Sequence, residues 1–101
     1  MDKLNLFILN WINANKNNIE AISITIDTIL IDSEIYQMAS AEIDFISENK
    51  FSRITAFESN RLYVQVLDIA TETTDYFFDE EVKVSSDIES FLWESIKKMV
   101  G

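Results

Sequence analysis

The sequence has no cysteine, no histidine and no proline, and its single glycine is the last residue, Gly101. Without cysteine there is no disulfide framework, no thiol nucleophile and no thiolate zinc site. Without histidine, the usual general base near neutral pH and the commonest metal ligand are both missing. One glycine is too few for a phosphate-cradling loop, and no P-loop, GxGxxG, GxSxG or HExxH motif occurs. Most enzyme classes are thereby disfavoured, and the chain reads as a non-enzyme with no cofactor and no metal. Basic residues are scarce as well: eight Lys and Arg stand against eighteen Asp and Glu, a formal charge of −10.

The chain is 101 residues long, room for one domain. No repeat, low-complexity tract or Gly/Ser/Pro linker divides it, so residues 1–101 are expected to form a single unit. Apolar residues make up 48% and aromatics 12%, too many for a disordered acidic tail. Area scaling lets a chain of this size bury about 65% of its unfolded surface, enough for one modest core. The N-terminus lacks the basic region and small-residue cleavage site of a signal peptide. The apolar stretch from Leu4 to Ile12 is interrupted by Asn5 and Asn10 and is too short to span a bilayer. A cytoplasmic protein is expected.

The acidity is uneven. Between Glu20 and Glu81 fourteen acids face only Lys50, Arg53 and Arg61, a net of −11, while the rest of the chain sums to +1. Such a field repels nucleic acid and anionic lipid and steers a basic surface inward, so neither nucleic acid nor a membrane is expected as a partner. Acidity alone is better accounted for by a solvated surface that keeps the protein soluble.

Hydrophobic spacing predicts the elements. Residues 2–17 place Leu4, Phe7, Ile8, Trp11, Ile12 and Asn15 at intervals of three and four, a helix with one apolar stripe. Asn13, Asn15, Asn17 and Asn18 then predict its end. From Ala21 the period becomes two, with Ile22, Ile24 and Ile26 on one face of a strand; Ile29, Leu30 and Ile31 either extend it or begin a turn through Asp32-Ser33-Glu34. A second strand covers residues 39–46, Glu48-Asn49-Lys50 supplies a turn, and Arg53 to Glu58 follows. A two-residue turn at Asn49-Lys50 sets Phe45 opposite Ile54, Asp44 opposite Thr55 and Glu42 opposite Phe57. A three-residue loop at residues 59–61 then pairs Phe57 with Tyr63 on the outer side. Residues 69–75 read as a loop, Tyr76 to Val84 as a last strand bent near Asp79-Glu80-Glu81, and Ser86-Asp87-Ile88-Glu89 as the capping box of a closing helix. Its apolar stripe is Ile88, Phe91, Leu92, Ile96, Met99 and Val100. The fold class is α+β in two layers: an N-terminal helix, an antiparallel meander of four to five strands and a C-terminal helix, with both helices on one sheet face. The other face is left open.

That open face brings together Glu42, Asp44, Thr55, Phe57, Tyr63 and Gln65. Aromatics beside carboxylates suit protein binding, the rings supplying buried anchor area and the acids complementarity to a basic partner. Phe57 and Tyr63 also read simply as a cross-strand pair. The stretch Asp75-Tyr76-Phe77-Phe78-Asp79-Glu80-Glu81 is a second candidate, because three consecutive aromatics cannot all face one core. The partner-binding candidates are therefore Glu42, Asp44, Phe57, Tyr63, Asp75, Asp79, Glu80 and Glu81. Glu42 with Asp44, or the run Asp79 to Glu81, could be offered as a hydrolytic carboxylate pair or a hard-metal site. Solvated strand carboxylates explain both better, since a calcium loop needs more oxygens at set spacings and a glycine at its sharp turn. Trp11 and Trp93 lie on or beside their helical stripes and read as core.

The pattern Leu9-Asn10-Trp11-Ile12-Asn13-Ala14-Asn15-Lys16, with Ser52-Arg53-Ile54-Thr55-Ala56-Phe57-Glu58-Ser59, Val66-Leu67-Asp68-Ile69 and the region 85–99, resembles the TriTu-type immunity proteins that accompany Rhs-type polymorphic toxins of bacteria, including toxins delivered by type VI secretion. The resemblance covers most of the chain. It implies a cognate inhibitor, binding one-to-one to a toxin that ADP-ribosylates elongation factor Tu and blocking its active-site cleft or the access to it. An acidic nucleic-acid mimic that occupies a DNA- or RNA-binding protein is the alternative. It would need carboxylates spaced along a strip like phosphates.

Overall fold

In the computed structural model residues 3–31 and 38–100 are described. The Asp32-Ser33-Glu34 turn lies outside them. The elements run in the order α1 (Leu4–Ala21), β1 (Thr25–Ile31), β2 (Ser40–Ile46), β3 (Lys50–Phe57), β4 (Arg61–Asp68), β5 (Thr73–Glu81) and α2 (Ser86–Lys97). The five strands form one antiparallel meander in the order β1-β2-β3-β4-β5. Leu4, Ile8, Ile12 and Ile19 of α1 and Ile88, Leu92 and Ile96 of α2 share one core with the inward residues Ala41, Ile43, Phe45, Ile54, Ala56, Leu62, Val64 and Val66. Both helices therefore lie on the same sheet face, and they meet through Trp11 and Trp93, whose rings stand edge to face at 5.3 Å.

Several boundaries differ from the sequence expectation, each for a physical reason. The asparagine run does not end α1, which continues to Ala21. Ile19 carries the apolar stripe into the core and is fully buried. That burial contributes about 1.5–3 kcal/mol, more than the roughly 0.5 kcal/mol that each of Asn17 and Asn18 costs in a helix. Asn15 accommodates itself by donating from Nδ2 to the carbonyl of Trp11 at 2.9 Å. The turn to β1 is made instead at Ser23, with φ 67°. Ile29 to Ile31 extend β1, after a bulge at Asp27 between the pairs Ile26↔Phe45 and Thr28↔Asp44. Residues 73–75, expected in a loop, begin β5, and its irregularity falls at Asp75 rather than at residues 79–81. The remaining turn, residues 69–72, is closed by Glu72 at φ 57°. α2 starts at Ser86 with Ser85 as its N-cap, which makes no side-chain cap bond; the Ser86 side chain of the expected capping box is outside the described residues.

Both hairpin registers are slipped by two residues from expectation. The first turn is Glu48-Asn49, so that Asp44 faces Arg53, Glu42 faces Thr55 and Phe45 faces Ser52. The second loop is residues 58–60, so that Tyr63 faces Thr55 and not Phe57. A slip of two conserves the face of every side chain, which is why hydrophobic alternation alone does not detect it. What selects the observed register is the fit of particular groups. Asp44 gains a two-pronged ion pair with Arg53, and Asn60, at φ 67°, takes the left-handed position that a three-residue loop requires.

Asn60 also acts at a distance. Lys3 at the start of α1 offers no side-chain cap, and the backbone N–H of Leu4 donates instead to Asn60 Oδ1 at 3.1 Å. Replacing Asn60 with glycine keeps the positive φ and removes only that bond, and is expected to lower stability by about 1 kcal/mol. Asn60→Val also forces a β-branched residue into the left-handed region and should lower it by about 2–3 kcal/mol. Urea unfolding of the two variants checks the order.

Candidate functional site

The outward residues of β2 to β5 form the sheet face that neither α1 nor α2 covers. By register, Glu42 and Asp44 of β2 stand beside Thr55 and Arg53 of β3, which stand beside Tyr63 and Gln65 of β4, which stand beside Asp79 and Phe77 of β5. The face expected from alternation is therefore present.

Its electrostatics differ from those of a plain acidic patch. Glu42 and Asp44 are buried, at 7% and 8% exposure. Arg53 lies over them, its Nε and Nη2 donating to the two Asp44 oxygens at 2.8 and 3.0 Å, with Glu42 at 3.7 Å. Thr55 donates its hydroxyl to Glu42 at 3.4 Å. Arg61 donates Nε to Asp79 at 2.7 Å, and Lys50 pairs with Asp75 at 3.0 Å, where the β5 irregularity brings that carboxylate. All three basic residues of the acidic middle are thus held by acids singled out in the sequence. The carboxylates alternate with cations and do not form a continuous strip. Glu80 and Glu81 are exposed at the end of β5, Glu81 opposite Arg61 and Glu80 opposite the inward Leu62.

Of the three consecutive aromatics, Tyr76 and Phe78 pack against the core, Phe78 tilted on Phe91 of α2 with ring centroids at 4.6 Å. Phe77 points the other way and is 55% exposed. Tyr63 meets it edge to face at 5.3 Å and donates its hydroxyl to Gln65 Oε1 at 2.9 Å. The expected Phe57–Tyr63 pair does not form because the register sets Tyr63 against Thr55, and Tyr63 leans toward Phe77 instead. The small Thr55 leaves a shallow cleft of about 400 Å³ between Arg53 and Phe57 on one side and Arg61, Tyr63 and Gln65 on the other, with Asp79 at its rim. Arg53 and Arg61 are the residues that sequence alone does not single out, whereas Phe77 is the one of the three aromatics in the candidate stretch Asp75 to Glu81 that does not face the core. Counted only as charge, the arginines become visible once Arg53 is set opposite Asp44.

Two groups near this face are shifted. The Arg61 guanidinium is held above its ordinary value by its hydrogen bond to Asp79, with Asp79, Glu81 and Glu80 adding charge attraction. The Asp68 carboxyl is held below its usual range, chiefly by the backbone N–H of Thr71, which donates to it at 3.0 Å in the turn before β5. A carboxyl depressed in the folded state contributes stability above its unfolded pKa and loses it as pH falls through the folded one. Asp68 should therefore titrate below a model aspartate in side-chain carboxyl NMR, and Asp68→Asn should flatten the acid limb of the stability curve. Among the described residues no group of three or more carboxylates could hold a metal ion, and no helix is long and apolar enough to cross a membrane.

A protein-family profile described as Immunity protein TriTu matches residues 5–98. No curated protein and no solved structure matches the chain.

Proposed function

Because this chain belongs to the TriTu immunity protein family, we propose that it protects its own cell by binding a cognate polymorphic toxin one-to-one and closing the active site of that toxin. The toxin is an Rhs-associated ADP-ribosyltransferase acting on elongation factor Tu, and the encounter takes place in the cytoplasm. The family match carries the immunity role. The open sheet face supports the mode of action, since neither α1 nor α2 covers it and it carries aromatics and arginines, the residue types enriched at binding hot spots. The contacts fall on Phe57, Tyr63 and Phe77, with Asp79 and Glu81 at the rim and Asp75 and Glu80 at its ends. Glu42 and Asp44 act from below by fixing Arg53.

A standard interface needs about 800 Å² from each partner, which a protein with 6110 Å² of accessible surface can supply from one face. The net charge of −10 adds long-range steering toward a basic toxin surface, so association should slow as salt rises while dissociation changes little. The test is to purify the toxin domain encoded beside this chain and follow modification of elongation factor Tu with this protein titrated in. Transfer should stop at one equivalent. Undiminished transfer in the presence of a saturating excess would remove the proposal.

A further inference from the structure

We infer that the cleft between β3 and β4 receives an acidic side chain of the partner, gripped by the terminal nitrogens of Arg61 and the amide of Gln65 above a floor of Phe57 and Tyr63. The inference deepens the immunity reading, on which it rests for the identity of the partner. It runs against the overall charge of the chain, and the local chemistry is what decides it.

Arg61 spends Nε on Asp79 and is otherwise turned to solvent, its side chain 54% exposed, with no further hydrogen-bond partner for its terminal nitrogens among the described residues. Gln65 accepts the Tyr63 hydroxyl on Oε1, and its Nε2 hydrogens have no partner among the described residues. Among the described residues Asp79 is the only carboxylate lining the cleft, and Arg61 already pairs with it. Thr55 is likewise engaged, donating to Glu42. The donors of the cleft with no partner among the described residues are the Arg61 terminal nitrogens and the Gln65 amide, whereas its acidic group is already paired with a cation, and two guanidiniums line it. A carboxylate complements both, and an arginine fork can take it through two parallel bonds. A cation entering the same place would meet Arg53 and Arg61, and would find the one lining carboxylate already paired. The acidic net charge brings the partner in from a distance, and the cleft then fixes its register by the opposite sign.

The sign of one substitution separates these occupants. Arg61→Gln should weaken binding of the adjacent-gene toxin domain by about thirtyfold, the scale of one charge-assisted pair at a desolvated contact. Arg61→Lys should recover part of the loss, and Gln65→Leu, which leaves the charge untouched, should cost about tenfold. Tighter binding by Arg61→Gln would mean that a cation docks there and would overturn the inference, as would unchanged affinity in both Arg61→Gln and Gln65→Leu. Thermal unfolding of each variant separates loss of fold from loss of contact. A probe independent of the toxin is N-acetylglutamate amide, titrated into the isotope-labelled protein. It should shift the Arg61 Nε and Gln65 Nε2 resonances, and the Gln65→Leu protein should show no saturable shift at Arg61. Resonances that stay fixed in the wild type would overturn the inference even if the toxin bound. A toxin that failed to bind the wild type, with the probe still shifting both groups, would remove the immunity reading and leave the acid-binding cleft.

Discussion

Phe45→Ala is expected to destabilise the protein by about 3–5 kcal/mol, which for a domain of this size lowers the melting temperature by roughly 15–30 °C. Phe45 is fully buried near the end of β2 and faces the helices. Its strand neighbours are Ile26 on β1 and Ser52 on β3, so the small serine cannot fill the space that the ring would vacate. Residues on both sides of the cavity belong to a hydrogen-bonded sheet and a packed helix layer, which limits collapse, and limited collapse is what sets the upper end of the cost. Total stability of such domains is about 5–15 kcal/mol, so the variant should sit close to the edge of folding and protect its cell poorly for that reason alone. Ile46→Ala, one residue on but 37% exposed, should cost under about 1 kcal/mol. Thermal and urea unfolding measure both. Similar costs for the two would mean that β2 is not packed as described.

Phe77→Ala should do the reverse. The ring is more than half exposed and touches Tyr63 at its edge, so stability should change by less than about 1 kcal/mol. Affinity for the toxin domain should fall about a hundredfold, or roughly 2.7 kcal/mol, as when an aromatic anchor is truncated in a desolvated pocket. Phe77 and Tyr63 form an exposed edge-to-face pair beside the arginine-lined cleft, and aromatics and arginines are the types that dominate binding energy. Calorimetric titration against the toxin gives the affinity, and melting curves give the control. A Phe77→Ala protein that binds as tightly as the wild type would place the contact elsewhere.

How far these residues could be seen in advance depended on what kind of order each one obeys. Face assignment follows from a period of two, so Ile43, Phe45, Ile54, Val64 and Val66 went inward and Glu42, Asp44, Thr55 and Tyr63 outward, as alternation requires. Register is blind to that period. Asp44 against Thr55 or against Arg53 satisfies the same alternation, and only the ion pair distinguishes them. The same two-residue slip separated Tyr63 from Phe57 and delivered it to Phe77.

Asn60 shows a different limit. Its place in a turn is written locally, but its bond to Leu4 spans 56 residues and depends on where α1 docks. The asparagines of α1 favour a helix end by local preference, and the burial of Ile19 overrides that preference. At the candidate face, the acids were legible as charge and their partners were not. Lys50, Arg53 and Arg61 are few in number, yet each ends within 3.0 Å of an acid that composition alone would leave free.

The account stands on the open sheet face, and not the helix layer, meeting the toxin. Hydroxyl-radical footprinting of the free protein and of its one-to-one complex compares the two directly, because each side carries an exposed reporter. Phe77 marks the sheet face, and Leu6 of α1, 52% exposed, lies outside it. Oxidation of Phe77 and Tyr63 should fall sharply in the complex while Leu6 reacts as before. Protection of Leu6 with Phe77 as reactive as in the free protein would contradict the account.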